Sequence, residues 1–109
     1  MKIRIKDNTI RFRLTQSEVT AFADVRQLEH RIIIGRSALL FSLHISANHD
    51  LLFVEYIEHA IRVFIPSILF EQWISSGEIG FECLFISEGS EEMNILIEKD
   101  IERIKNKSA

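Results

Sequence analysis

The same order of local signals occurs twice in this chain, fifty-one residues apart, and it leaves few folds open. In the first pass, Ile3 and Ile5 alternate with Lys2, Arg4 and Lys6, and Ile10, Phe12 and Leu14 alternate with Arg11 and Arg13. A period of two with β-branched residues reads as two half-buried strands. Asp7-Asn8 between them suits a two-residue hairpin turn, because both residues tolerate positive φ. The period then changes. Thr15-Gln16-Ser17-Glu18 is a capping box, and Val19, Phe22 and Ala23 follow at helical spacing, which predicts a helix over 15–25. Residues 28–34 read as a strand stopped at Gly35. Residues 38–46 read as another, with Leu39, Phe41, Leu43 and Ile45 on its core face and Ser42, His44 and Ser46 on a solvent face.

The second pass repeats the grammar. Residues 51–57 form a strand, Glu58-His59 a turn, and residues 60–65 a strand. Pro66 lacks an amide hydrogen and suits a helix start; Ile68, Leu69, Trp73 and Ile74 give a helical face, closed by Ser75-Ser76-Gly77. Ile79, Phe81, Cys83 and Phe85 alternate on one face of a strand over 79–86, where Gly80 marks a bulge or a close backbone approach. A polar loop precedes a last strand over 93–98, and residues 99–105 read as a short terminal helix carrying Ile101 and Ile104. At the offset, Ile10 to Leu14 fall on Ile61 to Ile65, and Val19 and Phe22 fall on Phe70 and Trp73. Neither half can bury a core alone. The expectation is one α+β domain. It comprises an antiparallel sheet or barrel of about eight strands, from pseudo-symmetric ββαββ units 1–50 and 51–98, with an extension at 99–109.

Composition narrows the class. At 109 residues and 47% hydrophobic content the chain suits one globular domain and is too apolar for disorder. A single cysteine, Cys83, excludes a disulfide framework and any Cys-rich metal site. Apolar runs are far too short for a membrane helix, and the alternating start Met1-Lys2-Ile3-Arg4-Ile5-Lys6 is no signal peptide, so a reduced, cytoplasmic location is expected. The net charge of -3 hides a split. Residues 1–50 hold eight Lys/Arg against five Asp/Glu, and residues 51–109 hold five against eleven.

That split centres on the first hairpin. With a two-residue turn, Lys6 lies opposite Thr9, Arg4 opposite Arg11 and Lys2 opposite Arg13, so five cations share one face. Like charges directly opposite cost roughly 0.2–1 kcal/mol per pair, so something negative must answer them. The candidates are the carboxylates of the second half (Glu82, Glu88, Glu91, Glu92, Glu98, Asp100, Glu102), a second chain, or a bound phosphate or nucleic-acid backbone. In the second hairpin Glu55 faces Arg62. Phe53, Ile57 and Phe64 take its other outward positions and need a cover: a helix, the C-terminal segment or another subunit.

Signals for chemistry are sparse. His30, His44, His49 and His59 have no metal-ligand spacing, and His49 and His59 fall in turns expected to be solvated. Cys83 sits between Phe81 and Phe85 as a small buried hydrophobe. No catalytic residues, metal or cofactor are expected. An enzyme would need His30 or His44 to converge with a carboxylate in a pocket.

The opening MKIRIKDNTIRFRLTQSEV resembles the start of a family of small bacterial proteins of unknown function, and IRVFIP, Trp73, IGFE and ILIEKD resemble its later segments in the same order. The resemblance covers most of the chain and implies a stand-alone bacterial domain. Residues 60–66, a strand running into Pro66, also resemble the strand-to-helix junction of AbrB-type and double-psi barrels. That likeness implies a swapped or duplicated barrel binding DNA through a basic face. Two functions are thus expected. The first is a non-enzymatic protein-interaction module that self-associates or docks on a protein partner, with Phe53, Ile57 and Phe64 at its interface. The alternative is anion or nucleic-acid binding through Lys2, Arg4, Lys6, Arg11 and Arg13.

Overall fold

A computed structural model describes residues 1–89 and 91–101. The chain runs β1 (Lys2–Lys6), β2 (Thr9–Leu14), α1 (Gln16–Val25), β3 (Gln27–Ile34) and β4 (Ser37–Ser46). It continues with β5 (Phe53–Ile57), β6 (Ala60–Pro66), α2 (Ser67–Ser76), β7 (Gly80–Ile86) and β8 (Glu92–Lys99). Local chemistry sets these boundaries. The Thr15 hydroxyl accepts from the Glu18 amide, and the Glu18 carboxylate accepts from the Thr15 amide, so the capping box starts α1 as its sequence dictates. Arg26 closes α1 in the left-handed conformation, its amide donating to the Phe22 carbonyl at 2.7 Å; Gly77 closes α2 at φ 75°.

The strands form two four-stranded sheets, ordered β1-β2-β8-β7 and β3-β4-β6-β5. Each joins a hairpin of the first half to a hairpin of the second, and the two inner strands of each sheet run parallel. This corrects two expectations: the strands are not all antiparallel, and they do not close into a barrel. Hairpin signals specify only pairing with the next strand. Which hairpin meets which is decided by the core, where eight inward positions of β2, β4, β6 and β8 are the almost fully buried Phe12, Leu14, Phe41, Leu43, Val63, Ile65, Ile95 and Ile97. Phe12 meets Phe41 edge-on between the sheets, at 6.4 Å between ring centres. The helices meet through Phe22 and Phe70, at 5.2 Å, and the buried Trp73 ring donates from Nε1 to the Ile79 carbonyl.

At the C-terminus, Lys99 lies in β8 opposite Leu14 and does not begin a helix. The ladder favours it there, because the Lys99 and Asp100 amides donate to the Ile79 and Leu14 carbonyls, each at 2.8 Å. Asp100 and Ile101 are not helical either, and residues 102–105 of the expected terminal helix lie outside the described residues.

Candidate functional site

The four edge strands define two clefts at opposite margins of the molecule. One lies where β1 and β3 approach, lined by Met1, Lys2, Ile3, Arg4, Arg11, Arg13 and His30, with a volume of about 360 Å³. The other, about 710 Å³, lies between β5, β7 and the 48–52 connection, lined mainly by Leu51, Leu52, Phe53, Cys83, Leu84, Phe85 and Ile86.

The first hairpin has the register its turn demands: Lys2 opposite Arg13, Arg4 opposite Arg11, Lys6 opposite Thr9. Carboxylates from the last strand and the residue just after it meet three of its cations. Glu98, directly opposite Arg13 on β8, places Oε1 at 3.2 Å from Arg11 Nε and 3.6 Å from Arg13 Nε, and Asp100 Oδ2 lies 3.4 Å from Lys2 Nζ. Gly80 makes room for this. It lies opposite Glu98, and a Cβ there would come within 2.5 Å of the Ile97 carbonyl oxygen and 2.8 Å of Glu98 Cγ. The carboxylates at 98 and 100 are thus not part of a solvated acidic cluster, and Asp100 is buried. Among the described residues Arg4 and Lys6 have no carboxylate within ion-pair distance. His30, from β3, joins the cations and not a carboxylate, which sequence reasoning did not foresee because the contact crosses from one sheet to the other.

The second hairpin carries aromatic rings at the same register positions. Phe53 lies opposite Phe64, and His44 of β4 lies beside Phe64, as Glu98 lies beside Arg13. His44 stacks on Phe64 at 4.9 Å, and His49 stacks on Phe64 at 5.1 Å and on Phe53 at 5.6 Å; Phe85 meets Phe53 edge-on. These rings are much of the cover that Phe53 and Phe64 required, supplied from within the chain. Two expectations are corrected here. His49 is not simply solvated, since its Nδ1 also lies 2.7 Å from the Ser46 hydroxyl. Ser42 is not on a solvent face: it is wholly buried, because it lies in register between the longer Glu29 and Arg62 and bonds to His44 Nε2 at 2.8 Å. A wholly buried hydroxyl offers no substrate an approach, so this serine–histidine pair is structural.

Burial is the first cause that lowers the His44 pKa below its ordinary value, and the Arg62 charge adds to it; Glu29 and Glu55 pull the other way without reversing it. The folded state therefore favours neutral His44. Its contribution to stability is complete above the unfolded-state value of about 6.5 and declines as pH falls below that. Urea melts of the wild type are expected to lose stability between pH 7.5 and 5.5, with part of that loss abolished in His44→Gln; an identical pH slope in both proteins contradicts this assignment. Burial, with Glu82 beside it, raises the Cys83 thiol above its usual value, the opposite of what a nucleophile needs.

Sequence reasoning also missed the apolar surface. Ile32, Ile33 and Ile34 are exposed at the β3–β4 tip, beyond Leu40, where pairing of β4 to β6 ends. Leu51 is 81% exposed, and Leu84 and Ile86 are exposed beside Phe53 along the second cleft. The signal was present: three consecutive isoleucines put apolar residues on both faces of a strand, and Leu84 and Ile86 do so for β7.

The model of a family described as Family of unknown function (DUF7009) matches residues 1–109. The chain belongs to DUF7009. Comparison with curated proteins and with solved structures returned no match. No helix among the described residues of this DUF7009 member is long and apolar enough to cross a membrane, and no three metal-ligating side chains among them converge.

Proposed function

We propose that this DUF7009 chain is a non-enzymatic interaction module that self-associates, the β3–β4 tip of one copy entering the β5–β7 cleft of another. The observation that carries this is a pair of exposed apolar patches with opposite flanking charge. Arg31 and Arg36 flank Ile32–Ile34, while Asp50 lines the cleft and Glu82 and Glu88 flank Leu84 and Ile86. Taking each such side chain out of water favours association by about 1.5–3 kcal/mol, and the flanking charges orient the encounter. Phe53 and Ile57, both exposed, belong to this surface; Phe64 supports it from beneath through the histidine stack.

Wild-type protein at roughly 100 µM is expected to sediment as more than a monomer, and Leu84→Glu as a monomer with unchanged circular dichroism. A wild type that stays monomeric at this concentration overturns the reading.

The repeated architecture belongs to the same proposal. Advancing each strand of β1-β2-β8-β7 by four places in chain order, with the count returning to β1 after β8, gives β5-β6-β4-β3, the other sheet read backwards. The left-handed closures at Arg26 and Gly77 and the turns at Asp7 and Glu58 keep the offset of fifty-one. This supports two related units, 1–50 and 51–98, each sheet taking one hairpin from each; a bacterial, cytoplasmic setting belongs to the proposal through the sequence resemblance and composition alone. The nucleic-acid alternative is less favoured, because Glu98 and Asp100 lie against three of the five cations it would use.

A further inference from the structure

Resting on the association proposed above, we infer that its mode is strand addition: β3 of one copy pairs antiparallel with the outer edge of β7 of the next, Ile33 lying opposite Leu84. Both are edge strands of their sheets, and among the described residues no backbone group bonds to the outer edge of either. A row of unpaired amides and carbonyls on an apolar edge is a template for another strand. Neither edge is guarded by a proline or a bulge, since the registers of β7 with β8 and of β3 with β4 run unbroken.

The backbone fixes which residues can pair. The Lys99 amide donates to the Ile79 carbonyl, so odd-numbered residues of β7 bond to β8, and the amides and carbonyls of Glu82, Leu84 and Ile86 point outward. The Ile45 amide donates to the Arg26 carbonyl, so even-numbered residues of β3 bond to β4, and those of Arg31 and Ile33 point outward. An antiparallel ladder sets outward groups opposite outward groups, as Ile33 opposite Leu84 and Arg31 opposite Ile86 do. The side chains agree with the backbone. Leu28 of β3 and Phe81, Cys83 and Phe85 of β7 pack against the core, so Ile33 and Leu84 share the outer face of the joined sheet. Ile32 and Ile34 then lie on the cleft side, opposite Phe85 and Cys83 of the cleft lining. Ile33, Ile34, Leu84 and Ile86, each more than half exposed in the single chain, are covered together.

Charge selects a second copy as the occupant. In this register Arg31 lies diagonal to Glu88, and the Gly35-Arg36 turn reaches Glu82. Pairing β7 with β7 brings the glutamates of two copies together, and pairing β3 with β3 brings their arginines together. A shift of two residues, the smallest that keeps the backbone pattern, puts Gly35 or Arg31 opposite Leu84 in place of Ile33. The product is one eight-stranded sheet across two copies, β1-β2-β8-β7 continued by β3-β4-β6-β5.

The ladder places Ile34 opposite the native Cys83 at a non-hydrogen-bonded pair, where Cα atoms approach to roughly 4.5 Å and a disulfide can span them. Ile34→Cys in the full chain, oxidised with diamide at roughly 100 µM, is expected to link position 34 of one copy to Cys83 of another, read by peptide mass spectrometry. Ile33→Cys emerges on the other face and is expected to give less than about a tenth as much of its link to Cys83. In the wild type, the amides of Arg31, Ile33, Leu84 and Ile86 are expected to exchange hydrogen about fivefold more slowly at roughly 100 µM than at about 1 µM. Should Ile34→Cys no longer associate, the wild-type exchange decides alone. An associating Ile34→Cys that links no more than Ile33→Cys, or unslowed exchange of those four amides in protein that sediments as an oligomer, overturns strand addition and leaves tip-and-cleft association standing. A wild type that stays monomeric overturns both.

Discussion

Phe12→Ala is expected to destabilise the domain by about 3–5 kcal/mol, a large part of the 5–15 kcal/mol such a domain has. Phe12 is wholly buried at the meeting of the sheets: it lies between Ile3 and Ile97 in register and meets Phe41 of the other sheet edge-on. Truncation removes the transfer energy of the ring and leaves a void that two packed sheets cannot readily close. Urea denaturation at pH 7.5 measures it. Phe53→Ala, at an exposed rim position, is expected to cost less than half as much. Equal losses at the two sites would show that the sheets do not share this core.

Gly80→Ala is expected to cost about 1–3 kcal/mol, although alanine is the smallest change available there. The new Cβ meets a backbone carbonyl, Ile97 O at 2.5 Å, which cannot move without disturbing β8, and it meets Glu98 Cγ at 2.8 Å. Glu98 is thus pushed from its place between Arg11 and Arg13, and the repulsion within the first hairpin returns. Gly89→Ala is the matched control: a Cβ there meets nothing within 4 Å, and its expected effect is neutral or slightly stabilising. Thermal melts of the two variants, read against wild type, check the difference. A Gly80→Ala protein as stable as Gly89→Ala would mean that Glu98 is not confined as described.

Local signals in the sequence resolve well into elements. The capping box at Thr15, the turns at Asp7-Asn8 and Glu58-His59, and Gly77 as a helix stop act over a few residues, and the structure places each where its chemistry dictates. The cross-strand pairs Arg4–Arg11 and Glu55–Arg62 follow from those turns alone. Pairing between hairpins was not legible, because the parallel ladders β2–β8 and β4–β6 join segments that no local pattern relates.

The same limit explains the sites. Glu98 was one of seven carboxylates in the acidic half that could have met the basic hairpin, and only the parallel β2–β8 register puts it opposite Arg13. His30, His44 and His49 looked unremarkable because their neighbours come from distant strands. The exposed isoleucines of β3 were visible as a run, but whether a buried or an exposed strand carries such a run depends on where its partner strand ends. β6 stops pairing at Leu40, and Ile32–Ile34 project past it.

Association through tip and cleft is tested most directly by complementation. Ile33→Glu/Ile34→Glu spoils the tip and keeps the cleft; Leu84→Glu spoils the cleft and keeps the tip. Sedimentation velocity at roughly 100 µM is expected to find each variant monomeric alone. Their equimolar mixture is expected to form a one-to-one heterodimer through the single tip–cleft junction that remains intact. A mixture that sediments as two monomers, under conditions where the wild type associates, would contradict the assignment of tip to cleft.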